Sequence, residues 1–157
     1  MRFRKFKKSD IRQIAKIKNS VFSNFNKSEY FEKEAVAKYL SYTNPKKSDQ
    51  ELLEAFKLTP DSIFYVAEES NKIFGYIKGR KNRIGNLFVL GKTHKKGIGR
   101  KLVDLFEKEA KKQNSKEIKI HSSIYAVPFY QKMGYKKTTG IRNLHGLKIQ
   151  PMRKVLN

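Results

Sequence analysis

The hydrophobic period first changes near Pro60, from helical to extended, and that change limits the folds open to this chain. Before Pro60 the apolar residues recur every three or four positions, as Ile11, Ile14, Ile17, Val21 and Phe22 and then as Phe31, Ala35, Val36, Tyr39 and Leu40. Those are the spacings of helices with one inward face. After it, Ile63-Phe64-Tyr65-Val66-Ala67 and Ile73-Phe74-Gly75-Tyr76-Ile77 are short, β-branched and aromatic, with turn chemistry at Ser70-Asn71-Lys72 between them. That pattern predicts a β-hairpin. A helical bundle and a β-sandwich both fall away, and a mixed sheet flanked by helices remains.

Local signals divide the chain further. Phe3 with its basic neighbours reads as a first strand. Ser9-Asp10 caps the first helix, with Gln13 in capping-box position. A second helix is expected after Ser28, stopped by Asn44-Pro45, and Ser48-x-x-Glu51 opens a short third one. Ile84 to Leu90 reads as a strand, and Leu102, Val103, Leu105, Phe106 and Ala110 as the inner stripe of a strongly amphipathic helix. Ile118 and Ile120 mark another strand. Ala126 to Met133 is expected to be helical, closed by Gly134 in a left-handed cap. The tail from Tyr135 to Val155 reads as two strands around Asn143–Gly146. No repeat or linker interrupts the chain, so residues 1–157 are expected to form one domain.

Charge and composition narrow the function. The chain has 36 Lys+Arg against 14 Asp+Glu, a formal net charge of +22, and no cysteine. Disulfide scaffolds, thiolate nucleophiles and Cys-ligated metals are excluded. No apolar run is long enough for a transmembrane helix, and Met1–Phe6 lacks the apolar region of a signal peptide, so the cytoplasm is expected, with no membrane partner. The positive field attracts polyanions, nucleic acid included. The basic residues are nevertheless scattered in pairs such as Lys46-Lys47 and Lys111-Lys112, and no recognition motif accompanies them, so charge alone supports that partner.

Chemistry concentrates in Asn86–Leu102. A strand ends, a basic glycine turn follows and a helix begins. Successive amides in such a turn, with the positive end of a helix behind them, suit a diphosphate. Lys95, Lys96, Arg100 and Lys101 add formal charge around it. The alternative is a glycine turn ahead of a surface helix. The spacing fits neither a P-loop nor a dinucleotide fingerprint.

A second segment, Ala126-Val127-Pro128-Phe129-Tyr130-Gln131-Lys132-Met133-Gly134-Tyr135, lies downstream. With it the sequence resembles the GNAT superfamily of acyl-CoA N-acyltransferases. His94-Lys95-Lys96-Gly97-Ile98-Gly99 occupies the family's Gln/Arg-x-x-Gly-x-Gly/Ala motif, and Ala126 through Tyr135 its Ala-x-x-Phe/Leu-Tyr-x-x-x-Gly-Phe/Tyr motif. The resemblance implies an α/β (mixed α+β) fold with a central mixed, mostly antiparallel sheet, in β-α-α-β-β-β-α-β-α-β-β order. It implies an N-acetyltransferase that uses acetyl-CoA as co-substrate, needs no metal, and acts by direct attack of an amine on the thioester.

Residue by residue, the resemblance puts the pyrophosphate on the amides of Lys95, Lys96, Gly97, Ile98, Gly99 and Arg100. It lays the pantetheine along Leu87, Phe88 and Val89. Ser123 stands where many members carry a cofactor-touching asparagine. Phe129 is either core or a wall of the cofactor site. Tyr130 holds the position of the general acid that protonates the departing thiolate; its alternative is a packing role. His94 replaces the usual Gln or Arg, and either donates to a phosphate or sits exposed. The family's base position falls at Ile118, which cannot act, leaving Glu68, Glu69, His121 or water. Two other classes stay open: a CoA-binding module without activity, and a basic nucleic-acid-associated protein. The amine acceptor has no readable code, and family habit leaves a homodimer open.

Overall fold

The computed structural model describes residues 1–25, 30–93 and 96–157. One eight-stranded sheet organises it, in the order β1-β2-β3-β4-β5-β8-β6, with β7 also paired to β8. The strands are β1 (Arg2–Lys5), β2 (Ile63–Glu69), β3 (Lys72–Arg80), β4 (Arg83–Val89), β5 (Glu117–Ser123), β6 (Lys136–Lys137), β7 (Arg142–Leu144) and β8 (Leu147–Val155). The helices are α1 (Ile11–Phe25), α2 (Lys33–Ser41), α3 (Asp49–Ala55), α4 (Ile98–Lys112) and α5 (Val127–Lys132). Only β4 and β5 run parallel, which requires a crossover, and α4 supplies it.

The two faces of the sheet bury separate cores. On one, Ile98, Leu102, Val103, Phe106 and Ala110 of α4 meet Ile84, Ile118, Ile120 and Met152. Burying a side chain such as Leu102 or Phe106 is worth about 1.5–3 kcal/mol. On the other, Ile11, Ile14, Ile17 and Val21 of α1 and Leu52 of α3 cover Phe64, Val66 and Tyr76. The period change at Pro60 is thus the change from covering helices to covered strands.

Several local signals hold in detail. Ser48 and Glu51 form the reciprocal cap of α3, each backbone N–H donating to the other's side chain at 3.2 Å. Ser70 and Asn71 both take positive φ at the β2–β3 turn, and Gly134 closes α5 at φ 94°. Three signals resolve differently. Gln13 makes no capping box: its amide accepts from Ile73 N–H at 2.9 Å and so ties α1 to the β2–β3 turn. Asp10 is buried and bonds Lys7 N–H at 2.8 Å, because a short 3-10 turn precedes α1. The tail forms three strands, with short β6 and then β7 sharing one edge of β8. Ser28, the expected start of the second helix, lies outside the described residues, and α2 begins with Glu32 as its N-cap.

Candidate active site

A splay between β4 and β5 is built into the register. The two strands pair only at Arg83↔Lys119 and Ile84↔Ile120, yet β4 runs on to Val89 and β5 to Ser123. The cause lies one residue further along β4. Gly79 pairs with Ile84 while Lys78 pairs with Asn86, so Gly85 is an extra residue, a bulge. Bulges bend their strand. A Cβ on Gly79 would collide with the carbonyl oxygen of Arg83, so glycine is required opposite the bulge.

Beyond the bulge, ladder parity decides which peptide groups face the gap. Leu90 N–H donates to Phe74 O at 2.8 Å, and hydrogen-bonded pairs alternate in an antiparallel ladder. Phe88 and Asn86 therefore turn their peptide groups to β3, whereas Leu87 and Val89 turn theirs toward β5. Of the three β4 residues singled out by sequence, Phe88 presents its ring and not its backbone: it packs near Tyr76 on the α1 face, with centroids 5.9 Å apart.

After β4 a 3-10 turn, Gly91–Thr93, redirects the chain, with Thr93 Oγ1 donating to Leu90 O at 2.7 Å. His94 and Lys95 lie outside the described residues. Lys96 and Gly97 are exposed, and Gly97 is the N-cap of α4 at φ 74°. Among the described residues nothing lies within 4 Å of a Cβ placed there, and its backbone angle calls for glycine. The first bond of α4 runs from Lys101 N–H to Gly97 O, which leaves the N–H groups of Ile98, Gly99 and Arg100 without intrahelical partners. Those donors and the helix dipole suit an anion. The Ile98 side chain is buried, so it offers only its backbone; Arg100 and Lys101 are exposed. Gly99 has a different reason for its size: a Cβ there would stand 3.3 Å from the Phe129 ring. Phe129 thus seats α5 against the start of α4.

Three buried tyrosines, Tyr130 and Tyr135 in the core under α4 and Tyr76 in the core under α1, differ in their hydroxyls. Tyr76 donates to Asn86 Oδ1 at 3.3 Å, and Tyr135 donates to Glu107 Oε2 at 2.9 Å. Tyr130, beside Phe129 and 5.6 Å from the Tyr135 ring, makes no hydrogen bond to any described residue. The residue is 3% exposed, and its hydroxyl is without a partner among the described residues. Burial raises its pKa above the usual phenol range, keeping it protonated. Ser123 Oγ accepts from Ala126 N–H at 3.2 Å and starts the turn into α5.

The base candidates are dispersed. Ile118 is fully buried against α4. Glu68 binds Arg4 at 2.5 Å, and Arg4 also clasps both oxygens of Asp10 at 2.9 Å, so its carboxyl is held below the usual range by that guanidinium. Glu69 pairs with the Met1 amino group at 3.3 Å. His121 is exposed on the face opposite Ile118, its pKa lowered by partial burial and by Arg83 and Arg142.

Two buried charges were overlooked in the sequence although their spacing marks them. Glu107 falls inside the apolar stripe of α4, four residues after Val103; it receives Tyr135 and, at 2.8 Å, Lys154 Nζ. Lys18 falls inside the stripe of α1, four residues after Ile14. It is 5% exposed, donates to Thr43 Oγ1 at 2.8 Å and lies 4.0 Å from the Tyr39 ring centroid. Burial, with Lys78 nearby, lowers its pKa to about 8, and burial raises that of Tyr39 to about 12.

Comparison with known proteins agrees with this architecture. The chain belongs to the acetyltransferase (GNAT) domain family, whose model it matches over residues 27–156. A Bacillus subtilis (strain 168) protein named as an acetyltransferase is 30% identical over 71 residues, or 45% of this chain and 48% of that protein. The match therefore spans about half the length of that curated relative. Among solved structures, a GCN5-related N-acetyltransferase from Rhodopseudomonas palustris superposes with a TM-score of 0.82 at 17% identity, over 99% of this chain and 95% of that one. The PaiA N-acetyltransferase of Thermoplasma acidophilum, solved with coenzyme A, gives 0.74 at 18% over 99% and 98%. The aminoglycoside 6'-N-acetyltransferase from Enterococcus faecium gives 0.71 at 18% over 99% and 97%. The shared fold is the mixed, mostly antiparallel sheet flanked by helices. Among the described residues, no helix is long and apolar enough to cross a membrane.

Proposed function

We propose that this protein is a cytoplasmic N-acetyltransferase that passes the acetyl group of acetyl-CoA to an amine. The observation that carries the reading is the Tyr130 hydroxyl: unlike that of Tyr135 beside it, it has no partner among the described residues, and it lies in the same core as the helix end that Gly97 opens. The N–H groups of Ile98, Gly99 and Arg100 would hold the pyrophosphate, with Lys96 and Lys101 adding charge. His94 and Lys95 belong to the same turn by sequence. The edge of β4 at Leu87 and Val89 would pair with the pantetheine, and Phe129 would wall it. Ser123 retains a hydroxyl hydrogen to donate.

In the reaction the amine nitrogen bonds to the thioester carbonyl carbon, the carbon–sulfur bond breaks, and the thiolate takes the Tyr130 proton. A donor to the carbonyl oxygen is worth about 3 kcal/mol in such sites. Glu68 and Glu69 are committed to the β1–β2 corner, which leaves His121 or water to take the amine's proton. Thiol release from acetyl-CoA, measured across a panel of amines, tests this. Tyr130→Phe is expected to lower turnover about 10²- to 10³-fold while leaving acetyl-CoA affinity within twofold. Unchanged turnover would remove Tyr130 from the acid role, and no turnover with any amine would favour a CoA-binding module.

A further inference from the structure

The sheet carries a second charged feature, away from the splay and on the face opposite α4. Sheet register aligns Arg80 with Arg83, Arg83 with Lys119, Lys119 with Arg153 and Arg153 with Lys136. Five adjacent strands, β3, β4, β5, β8 and β6, therefore place a cation at the same level. The neighbouring level holds Ile84, Ile120 and Met152, which pack against α4, so the cation row faces the other way. With strands about 4.8 Å apart, the row crosses roughly 19 Å.

Like charges directly opposite one another destabilise a sheet. Here one carboxylate answers them: Glu117, 3.7 Å from Lys119 Nζ and 3.3 Å from Arg153. Over four of the five cations, Arg83, Lys119, Arg153 and Lys136, lies an open concavity of about 1000 Å³. Arg83, Lys119, His121, Lys136, Arg142 and Arg153 line it together with Thr138 and Thr139, and among the described residues no Asp or Glu side chain does.

We propose that this concave face binds a nucleic-acid duplex through its phosphate backbone. Lysine, arginine and threonine are the side chains that contact phosphate, and a regular duplex presents a periodic row of charge across such a span. Among the described residues its lining holds no Phe, Tyr or Trp and a single imidazole, His121, so it offers no row of rings on which successive single-stranded bases could stack. Recognition is by charge and shape, without base sequence. The cation row and the cofactor end of β4 are apart: the cofactor end is Leu87–Val89, and the row crosses β4 at Arg83.

Fluorescence anisotropy with labelled RNA and DNA duplexes of about 16 base pairs, across a salt series, tests the proposal. The combined variant Arg83→Gln, Lys136→Gln, Arg153→Gln is compared with Lys108→Gln, Lys111→Gln, Lys112→Gln on α4, which loses the same charge. The first set is expected to weaken duplex binding at least 10-fold and to reduce the slope of log K against log salt by about 2 to 3. The α4 set is expected to change affinity less than threefold. Lys136→Gln alone, at the sheet edge, is expected to give a threefold loss and serves if the triple variant does not fold. Equal losses from the two triple sets, or poly-glutamate competing as well as duplex at equal charge, would overturn the proposal.

Discussion

The α4–α5 half of the molecule and the α1–α3 half handle buried polarity in opposite ways. Around α4 and α5, some polar groups lack partners among the described residues: the first amides of α4 and the hydroxyl of Tyr130. Under α1–α3 they close on one another. Arg4 joins Asp10 to Glu68, and Lys18 is satisfied by Thr43 and the Tyr39 ring, with Thr43 donating in turn to Asn19 at 3.0 Å. Open groups invite chemistry. Closed ones hold a cover in place, and one of them, Lys18, does so as a buried cation without a carboxylate among the described residues.

Lys18 is where the closed half can be broken most visibly. The unfolded chain keeps this proton up to about pH 10.5, whereas the folded protein releases it near pH 8. Between those limits the unfolded state binds more protons, so stability rises with pH, by up to about 3 kcal/mol. In Lys18→Met that rise should be absent, and the variant should be more stable than the wild type at pH 7. Urea unfolding from pH 7 to 10 measures both. A parallel rise in the two proteins would contradict the buried charge.

Glu107 sharpens the comparison from the other side, as a closed group within the open half. Glu107→Ala strands the Tyr135 hydroxyl and Lys154, the latter still partly in water, so a loss of about 2 kcal/mol is expected. Since Tyr135 packs on Tyr130, turnover should fall several-fold as well. Glu107→Gln should restore most of the stability. Equal stability of Glu107→Ala and wild type by urea titration would show that the pair carries no weight.

These regions also differ in how far the sequence discloses them. Strand parity and helix stripes give the two cores, because an apolar residue facing outward is costly and the period therefore survives. The glycine turn and Ala126–Tyr135 locate the candidate site for a similar reason: Gly97 needs positive φ, and Gly99 needs room for Phe129. What the sequence conceals depends on pairing between distant segments. Gln13 looks like a capping residue until the β2–β3 turn comes beside it. Glu68 resembles a possible base until Arg4, on a neighbouring strand, claims it. The cation row is invisible for the same reason, since Arg80, Arg83, Lys119, Lys136 and Arg153 meet only through sheet register. The bulge at Gly85, which opens the splay, leaves no mark beyond a glycine in a strand.

The most direct test of the central claim is calorimetric titration of acetyl-CoA into the purified protein at moderate salt, with ATP as a second phosphate-rich ligand. Saturable one-to-one binding of acetyl-CoA, retained as salt is raised and at least 10-fold tighter than ATP, is the predicted result. Equal binding of the two ligands, both lost with salt, would contradict a built cofactor site and leave the positive charge as the whole explanation.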